Sequence, residues 1–517
     1  MTSIDTWIEA HAQASPDKAA IVFAGETLTY GDLAGAVGRI ARHLRDNEGV
    51  LPGERVAYLG TNAPDMLALL FACARLGAIL VPLNWRLAPP ELAHAVADCG
   101  ARLLLHHPEY AETAAVIAGD AGARLVDPAQ GGLIAQTAGL DALGPGSGEG
   151  HGEAPLLIVY TSGTTGRPKG AVLTQDALAA NADNACHMQD ITAADRVLTV
   201  LPMFHVGGLN IQTTPALREG ATVVLHDRFH PAATLAALRE ERPTLTVLVP
   251  ATLAAVIAHP DWSRADLASL RLVATGSSDV PHSLMKPFIE RDVPVLQVYG
   301  ATETGPVSIY QRVGDAAAEF GSIGRAGPRT RVRLMADGRE AGTGEIGEIQ
   351  LMGGNITRGY WGREDATAES FADGWFRTGD LAMRDADGVY WFKDRIKNVI
   401  ISGGENIYPA ELERVLREIE IVGEAAVVGV ADPRWGESPV AVVVPKAGEA
   451  VDETGVLAGF NGRLARYKHP KSVVMVEELP RNALGKIKLD MLRKIAEDAL
   501  GARDATGRDP VKDPKKA

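Results

Sequence analysis

Residues 156–170 read LLIVYTSGTTGRPKG, an apolar run that leads into a loop of hydroxyl side chains and glycines. A short apolar run of this length, bounded by glycines, is typical of a buried strand. Glycines let the backbone approach a polyphosphate closely, while hydroxyl groups and a lysine supply donors and a positive charge. Because Gly170 follows Lys169, the spacing differs from that of a Walker A loop. The stretch predicts a phosphate-binding loop after a strand.

Two further segments are consistent with the same ligand-binding site as this loop. Residues 295–304 read VLQVYGATET, and residues 480–486 read PRNALGK. The first brings a ring, a hydroxyl and a carboxylate together after a predicted strand, where α/β proteins bind ligands. The second presents Lys486 on a glycine turn. In order and spacing the three segments resemble the superfamily of acyl-CoA synthetases, peptide-synthetase adenylation domains and firefly luciferase. The resemblance runs from about Thr29 to about Leu492.

The resemblance implies an AMP-forming acid:CoA ligase that uses ATP, Mg²⁺ and CoA. A carboxylate and ATP give an acyl-adenylate and pyrophosphate, and the CoA thiol then attacks the adenylate, releasing AMP. Two alternatives stay open, a stand-alone adenylating enzyme that loads a carrier protein and a non-catalytic acyl-AMP-binding homologue; a luciferase-type oxygenase rests on fold alone. The presence of Glu303, Asp380, Arg395 and Lys486 argues against a non-catalytic protein.

The same resemblance assigns residues to the nucleotide. Those of the phosphate loop are Thr161, Ser162, Gly163, Thr164, Thr165, Gly166 and Lys169. The wall around the adenine and α-phosphate comprises Gly276, Ser277, Ser278, Tyr299, Gly300, Ala301 and Thr302. Glu303 and Thr161 are the predicted magnesium ligands, which suits Mg²⁺ because the ion usually binds one carboxylate plus substrate phosphates. Thr302, Glu303, His205 and Lys486 are the residues predicted to act in catalysis.

The acyl pocket is predicted from two places. In relatives, the histidine matching His205 in residues 202–209 (PMFHVGGL) lies near the reacting carboxylate, although a lone histidine in apolar surroundings is also typical of a core. Ser277 and Ser278 make one wall more polar than is usual, and Val298 stands where many relatives have glycine. A larger side chain at Val298 shortens the cavity, so we expect a short-to-medium or compact aromatic acid and not a long fatty acid.

The resemblance also assigns residues to ribose binding, to the hinge between the two domains and to CoA binding. Asp380 and Arg395 match the pair that grips ribose, since a carboxylate accepts the two hydrogen bonds of a diol. Lys397 matches the pivot between two domain orientations. The residues that match CoA contacts are Gly403, Gly404, Trp435, Tyr467 and Lys471. A core role for Trp435 explains the sequence equally well. Lys486 is expected to contact the acid's carboxylate and the α-phosphate together.

The composition favours small-molecule partners. A net charge of −14 repels nucleic acid and anionic membranes. Cys73, Cys99 and Cys186 fit neither a zinc site nor a disulfide framework, which suggests a reducing cytosol, with buried thiols more plausible than a catalytic one. The N-terminal residues show no signal-peptide pattern, and the most apolar run, 66–83, carries Arg75. We expect a cytoplasmic monomer or homodimer without integral membrane association.

Apolar runs that alternate with helix-like segments predict an α/β fold with buried sheets. The predicted strands lie at 55–59, 79–83, 103–106, 156–160, 197–201, 222–225, 246–249, 272–275 and 295–298. After Gly321, Gly- and Asp-rich turns predict antiparallel hairpins in a β-rich subdomain, followed by a small mobile α+β domain. We expect a nucleotide- and acid-binding domain at 1–394, a mobile domain at 395–503 and a disordered tail at 504–517.

Overall fold

The computed structural model describes residues 4–127, 131–146, 150–161, 168–276, 280–402, 405–448, 452–481 and 486–505. The chain divides into two compact units. The first comprises Met1–Arg333, Gln350–Thr378 and Arg384–Trp391, and the second comprises Leu334–Ile349, Gly379–Met383 and Phe392–Ala517. The domain boundaries at residues 394 and 503 stay a prediction, and residues 506–517 of the predicted tail lie outside the described part of the chain.

The first unit contains two large sheets. Its strands up to residue 326 are β1 (Ala19–Phe23), β2 (Glu26–Thr29), β3 (Arg55–Leu59), β4 (Ile79–Leu83), β5 (Leu103–His106), β6 (Arg124–Val126), β7 (Pro155–Thr161), β8 (Lys169–Thr174), β9 (Arg196–Thr199), β10 (Thr222–Leu225), β11 (Leu245–Val247), β12 (Leu272–Gly276), β13 (Val295–Tyr299), β14 (Ile309–Tyr310) and β15 (Arg325–Ala326). One sheet has the order β15-β14-β13-β12-β11-β9-β10-β1-β2, and the other β6-β5-β3-β4-β7-β8.

Most strands in both sheets run parallel, with antiparallel strands at the edges. Strands such as β4 and β5 are buried along their whole length. Parallel strands that helices cover on both faces have continuous apolar sequences. This explains why these strands could be predicted from the sequence. The predicted α/β fold class is confirmed.

Sixteen α-helices occur in the described residues. They are α1 (Asp5–Ala14), α2 (Tyr30–Arg42), α3 (Pro64–Leu76), α4 (Pro89–Cys99), α5 (Ala111–Ala121), α6 (Gly132–Gln136), α7 (Gln175–Gln189), α8 (Val206–Gly208), α9 (Thr214–Arg218), α10 (Pro231–Glu240), α11 (Pro250–Ile257), α12 (His282–Ile289), α13 (Glu364–Glu369), α14 (Pro409–Arg417), α15 (Glu453–Ala458) and α16 (Leu489–Ala505). The π-helical turns are His43–Asn47 and Leu209–Thr213, and the 3₁₀ turns are Pro108–Tyr110, Trp262–Arg264, Thr302–Thr304, Ile396–Asn398 and Arg466–Lys468.

Helix α3 accounts for the most apolar part of the sequence. Pro64 occupies its first turn, where a missing N–H costs nothing, and Gly77 ends it in the left-handed conformation at φ 68°. Arg75 is fully buried and donates to the Glu9 carboxylate at 2.6 Å, so its charge is paired inside the core. Among the described residues, none of the helices combines the length and apolar character that crossing a membrane requires.

The strands after residue 326 include antiparallel hairpins, and the last of them form the sheet of the second unit. They are β16 (Thr330–Ala336), β17 (Arg339–Glu340), β18 (Ile346–Gly353), β19 (Phe371–Ala372), β20 (Trp375–Arg384), β21 (Tyr390–Arg395), β22 (Ile400–Ser402), β23 (Glu405–Ile407), β24 (Val422–Asp432), β25 (Gly436–Pro445) and β26 (Ser472–Met475). Asp337 and Gly338 join β16 to β17 with φ values of 49° and 79°. Two positive φ angles are the signature of a type I′ hairpin turn, which the Asp-Gly pair predicts.

The second unit carries a sheet with apolar residues on both faces. Its order is β23-β22-β25-β24, and β26 pairs with β25 in parallel. On one face Val427 packs in a cluster with Leu412 and Leu416 of α14, and on the other Val428 packs with Leu492 of α16. Since successive side chains of a strand point to opposite faces, each helix covers one side of the sheet. This arrangement is the α+β unit expected from the sequence.

Candidate active site

The predicted phosphate loop joins the two strands of a hairpin. Strands β7 and β8 are antiparallel, and Thr161 lies opposite Lys169 in their register. The Thr161 hydroxyl donates to the Lys169 carbonyl at 3.4 Å. The predicted phosphate contacts Ser162, Gly163, Thr164, Thr165 and Gly166 lie outside the described residues, so the structure places only the two ends of the loop.

Strand β13 delivers the second predicted segment. The chain leaves the strand at Tyr299 and forms the 3₁₀ turn Thr302–Thr304. A Cβ at Gly300 would stand 1.8 Å from the Pro306 carbonyl oxygen, so only glycine fits there. The Thr304 hydroxyl accepts the Ala301 N–H at 2.9 Å and caps the turn. The turn therefore holds Glu303 in a defined place after the strand.

A residue that the sequence did not single out joins these two segments. The Tyr360 hydroxyl donates to Glu303 Oε1 at 2.9 Å, and the Lys169 ammonium lies 5.2 Å from the centroid of the Tyr360 ring. Burial first, and then the adjoining carboxylate, raises the pKa of Tyr360, so the phenol keeps its proton at neutral pH and donates it. Lys169 and Glu303, predicted from separate motifs, thus contact the same aromatic side chain.

The carboxylate fits the needs of Mg²⁺ bound to a nucleotide. Among the residues that the structure describes, no group of three or more His, Cys, Asp or Glu side chains could hold a metal on its own. A hard cation that keeps phosphates and waters as ligands needs only one or two protein carboxylates. Glu303 is half-buried, and Thr161 lies at the end of β7. The side chains present therefore suit a magnesium–ATP complex rather than an all-protein cage.

The predicted acyl wall comes from the ends of two neighbouring strands, β12 and β13. Gly276 lies opposite Val298, and a Cβ there would stand 2.4 Å from the Val298 carbonyl oxygen. Val298 is 8% exposed and belongs to the same apolar cluster as Val206 and Leu209, which follow His205. Ser277 and Ser278 lie outside the described residues.

His205 caps the short helix α8. Its Nδ1 accepts the Gly207 N–H at 3.0 Å, so the neutral ring carries its proton on Nε2. The hydrogen bond from Gly207 gives Nδ1 a structural role as a helix cap, which requires no part in catalysis. The role of His205 in positioning an acid stays a prediction.

A buried amide pair ties the turn after His205 to the segment after Glu303. Asn210 Nδ2 donates to the Gly305 carbonyl at 3.0 Å, and Asn181 Nδ2 donates to the Asn210 carbonyl at 2.7 Å. Asn181 Oδ1 accepts the Val307 N–H at 2.8 Å. Because both side chains are buried with their polar groups satisfied, they fix the two segments firmly. No local pattern in the sequence indicates this pairing.

The predicted ribose pair is formed in the second unit. Arg395 Nε lies 3.3 Å from Asp380 Oδ1. The preceding residue, Asp394, is buried, and its carboxylate accepts the N–H groups of Arg395 at 2.7 Å and Ala410 at 2.8 Å. Burial raises the pKa of Asp394 despite these hydrogen bonds. Lys397 is exposed on the 3₁₀ turn that follows.

The predicted CoA residues of the second unit lie at its surface. Trp435 is 40% exposed and Tyr467 is 46% exposed, so the alternative that Trp435 serves the core is wrong. Lys471 is also exposed and precedes β26. Gly403 and Gly404 lie outside the described residues, and Lys486 is exposed directly after the undescribed 482–485.

The three cysteines carry no sign of nucleophilic chemistry. Cys73 and Cys99 are buried, and Cys186 is partly buried. Burial raises the pKa of the Cys73 thiol to about 12 and raises the pKa values of Cys99 and Cys186 as well. A thiol that stays protonated is a poor nucleophile, which agrees with buried apolar roles.

Comparison with known proteins covers nearly the whole chain. Residues 8–361 match the AMP-binding enzyme family, and residues 411–486 match the AMP-binding enzyme C-terminal domain. The chain belongs to the AMP-binding enzyme family. It is 49% identical over 499 residues to indoleacetate–CoA ligase of Aromatoleum aromaticum, covering 95% of this chain and 98% of that one. It is 45% identical over 485 residues to feruloyl-CoA synthase of an Amycolatopsis species, covering 94% and 97%.

A solved relative shows the same fold with nucleotide present. The O-succinylbenzoate CoA synthetase of Bacillus subtilis, in complex with ATP and magnesium ion, superposes with a TM-score of 0.83 at 31% identity, covering 94% of this chain and 99% of that one. This AMP-binding enzyme is an AMP-forming acid:CoA ligase. Its substrates are a small carboxylic acid, ATP and CoA, with Mg²⁺ as cofactor. Loading of a carrier protein and a non-catalytic role are not favoured.

Asp394→Ala is expected to destabilise the second unit of this AMP-binding enzyme by about 1–3 kcal/mol, because two partly buried backbone N–H groups lose their acceptor. One of them, Ala410 N–H, belongs to the first turn of α14, where Asp394 acts as a cap. Urea unfolding followed by circular dichroism measures the change. Asp394→Asn keeps one acceptor oxygen and should lose less; equal losses in the two variants would contradict this explanation.

Proposed function

We propose that this ligase activates a compact aromatic carboxylic acid whose ring stands one or two carbons from the carboxyl group. The observation that carries the proposal is the similarity, over nearly the whole chain, to two ligases whose names specify such acids, indoleacetate and the feruloyl group. The wall at Val298 agrees with it, because an isopropyl group in place of glycine favours a short cavity. A flat ring fills such a cavity better than a flexible alkyl chain does.

In the first half-reaction, we assign residues to each part of the nucleotide. Thr161 and Lys169, with the loop between them, hold the β- and γ-phosphates, and Thr302 contacts the α-phosphate. Tyr299 packs on the adenine, with Gly276, Gly300, Ala301 and the loop residues Ser277 and Ser278 around it. Asp380 and Arg395 bind the ribose. Glu303 and Thr161 would hold Mg²⁺, which would neutralise charge on the phosphates.

The acid's carboxylate oxygen attacks the α-phosphorus and pyrophosphate leaves. Lys486 stabilises the charge that develops on the phosphoryl oxygens, and no proton transfer is required because the nucleophile is already an anion. His205, whose ring is oriented by the Gly207 N–H, helps to position the acid. Adenylation therefore depends on orientation and charge.

In the second half-reaction, the CoA thiol attacks the carbonyl carbon of the acyl-adenylate and AMP leaves. A rotation about Lys397 removes Lys486 and presents Gly403 and Gly404, where the absence of side chains admits the pantetheine arm. Trp435, Tyr467 and Lys471 contact the nucleotide part of CoA. The exposure of both rings supports this assignment, since a stacking surface must be accessible.

We also propose that the reaction takes place in the cytoplasm and that the enzyme is a monomer or homodimer. The use of ATP and CoA supports the compartment, as do three cysteines that form no disulfide. Size-exclusion chromatography with light scattering measures the oligomeric state.

The acid preference is tested by pyrophosphate release across a panel of acids, with and without CoA. We expect indoleacetate, phenylacetate and hydroxycinnamates to give the highest kcat/KM, hexanoate to be weaker and palmitate weaker still. Acyl-CoA should form only with CoA present. A preference for palmitate over the aryl acids would overturn the proposed substrate class while leaving the reaction class intact.

Val298→Gly is expected to raise kcat/KM for longer or bulkier acids about tenfold or more, because one methylene in an apolar pocket discriminates by about 1–3 kcal/mol. The KM for ATP should hardly change. Val295→Gly is the matched control, since Val295 lies on the same strand but packs into a different apolar cluster. An equal gain in both variants would show that strand loosening, not cavity size, sets the preference.

A further inference from the structure

The segment that carries Tyr360 is fixed along strand β8. The Val172 N–H donates to the Gly359 carbonyl at 3.0 Å, and the Trp361 N–H donates to the Gly170 carbonyl at 2.8 Å. Ala171 and Tyr360 form an antiparallel bridge. This ladder continues the hairpin that bears the phosphate loop, so the backbone of Tyr360 has little freedom relative to Lys169.

Tyr360 contacts both ionic groups of the nucleotide site at once. Its hydroxyl donates to Glu303 Oε1 at 2.9 Å, while its ring lies 5.2 Å from the Lys169 ammonium. The Thr357 N–H donates to the Glu303 carbonyl at 2.7 Å, so the same segment also fixes the backbone of Glu303. The carboxylate and the ammonium are thus held by one rigid side chain from a third part of the chain.

We propose that Tyr360 is a positioning residue for adenylation, which orients the Glu303 carboxylate towards Mg²⁺ and the Lys169 ammonium towards the phosphates. The inference rests on the assignment of Glu303 to the metal under the proposed function. With Oε1 bound to the phenol, Oε2 is the oxygen left for a cation. Hydrogen bonds from such neighbours orient metal ligands and strengthen binding.

The aromatic ring acts differently on Lys169. A cation over a ring face is attracted by the ring's quadrupole without using a hydrogen-bond acceptor. The three N–H groups of the ammonium thus stay available to phosphate oxygens. The ring and the hydroxyl of Tyr360 can be separated by substitution, because phenylalanine keeps the first and removes the second.

The contact on the other side of the segment supports the same role. Arg363 pairs with Asp98, and Asp98 Oδ2 accepts the hydroxyl of Tyr160 at 2.8 Å. Tyr160 immediately precedes Thr161 at the start of the phosphate loop. Residues 357–363 therefore brace the loop's first strand, its last strand and Glu303 together.

The test compares Tyr360→Phe with Tyr310→Phe. Tyr310 is a matched control because its hydroxyl also shares one side-chain hydrogen bond, with His187 Nδ1 at 2.8 Å, outside the nucleotide residues. Isothermal titration calorimetry with α,β-methylene-ATP measures affinity in Mg²⁺ and in EDTA. We expect Tyr360→Phe to lose about 10- to 100-fold in the Mg²⁺-dependent affinity and in kcat/KM for pyrophosphate release, with the EDTA affinity unchanged.

Two further readouts distinguish positioning from structure. Thioester formation from supplied acyl-adenylate and CoA involves no pyrophosphate or its metal, so Tyr360→Phe should leave it at the wild-type rate, as should Tyr310→Phe. Thermal unfolding by circular dichroism should be alike in both variants. Wild-type behaviour of Tyr360→Phe, or a loss shared by the EDTA titration and the thioester step, overturns the proposal.

Glu303→Gln separates this inference from the assignment on which it rests. If Glu303→Gln keeps the Mg²⁺-dependent affinity, Glu303 is not the metal ligand and both proposals fail. If Glu303→Gln loses the Mg²⁺-dependent affinity and Tyr360→Phe keeps it, Glu303 is still the metal ligand and only the positioning role of Tyr360 is wrong. In the double variant, the Tyr360→Phe change should add no further loss, because residues acting through one contact are not additive.

Discussion

Lys486→Ala should slow pyrophosphate release by about 100- to 1,000-fold, the usual loss when one preorganised charge contact to a transition state is removed. Thioester formation from supplied acyl-adenylate should stay close to the wild-type rate. Lys486 is exposed, and the residue after it, Ile487, forms an isolated β-bridge with Arg481. An exposed lysine next to a paired residue is accessible to a ligand and does not serve the core.

The two half-reactions are measured separately, with saturating substrates in each. Lys488→Ala is the matched control, since Lys488 is exposed two residues further on and its backbone N–H bonds to the Pro480 carbonyl. It should leave both half-reactions unchanged. An equal fall of both rates in Lys486→Ala would show that the lysine is structural or that one arrangement serves both steps.

The fold was predictable wherever burial leaves a local pattern. The strands at 55–59, 79–83, 103–106 and 222–225 occur with the predicted bounds, because parallel strands covered on both faces are apolar throughout. Strand β9 ends at Thr199, two residues before the predicted end. Apolar residues that continue past the end of a strand have the same composition as the strand itself. Composition therefore predicts the centre of an element better than its end.

The pairing of distant segments could not be predicted. Tyr360 reaches Glu303 across 57 residues, and Asn210 reaches Gly305 across 95. Nothing local in the sequence tells which strand the run around Tyr360 lies against. The π-helical turn Leu209–Thr213, which carries Asn210, also follows from packing against α7 and leaves no distinct composition.

For the candidate site, the resemblance to the family is what marks Asp380 and Arg395 as a pair that binds ribose. Arg395 Nε lies 3.3 Å from Asp380 Oδ1, and the role of the two residues stays a prediction. The setting of Trp435 did not decide between core and surface, because an aromatic residue suits both. Its exposure of 40% follows from the turn between β24 and β25, where Asp432 accepts its backbone N–H.

Lys397→Pro should affect the two half-reactions unequally. We expect the more strongly affected half-reaction to slow on the order of 100-fold, because a small misplacement of catalytic groups lowers the rate by about that factor. Proline fixes φ near −65° and disfavours helical backbone at the residue before it, here Ile396. Both residues belong to the 3₁₀ turn Ile396–Asn398, directly after Arg395. A turn that must change its dihedral angles during a rotation is restricted by this substitution.

Lys397→Ala is the matched control because it removes the exposed side chain and leaves the backbone free. It should change the ratio of the two rates much less than proline does. Stopped pyrophosphate release and thioester formation from supplied adenylate give that ratio, and thermal unfolding reports lost stability. If proline lowers both rates together, in step with a lower unfolding temperature, residue 397 is not a pivot. If the ratio of the two rates shifts in Lys397→Pro but not in Lys397→Ala, and the unfolding temperature is unchanged, the rotation occurs in this turn. The two variants both lack the lysine side chain and differ in the backbone freedom at residue 397.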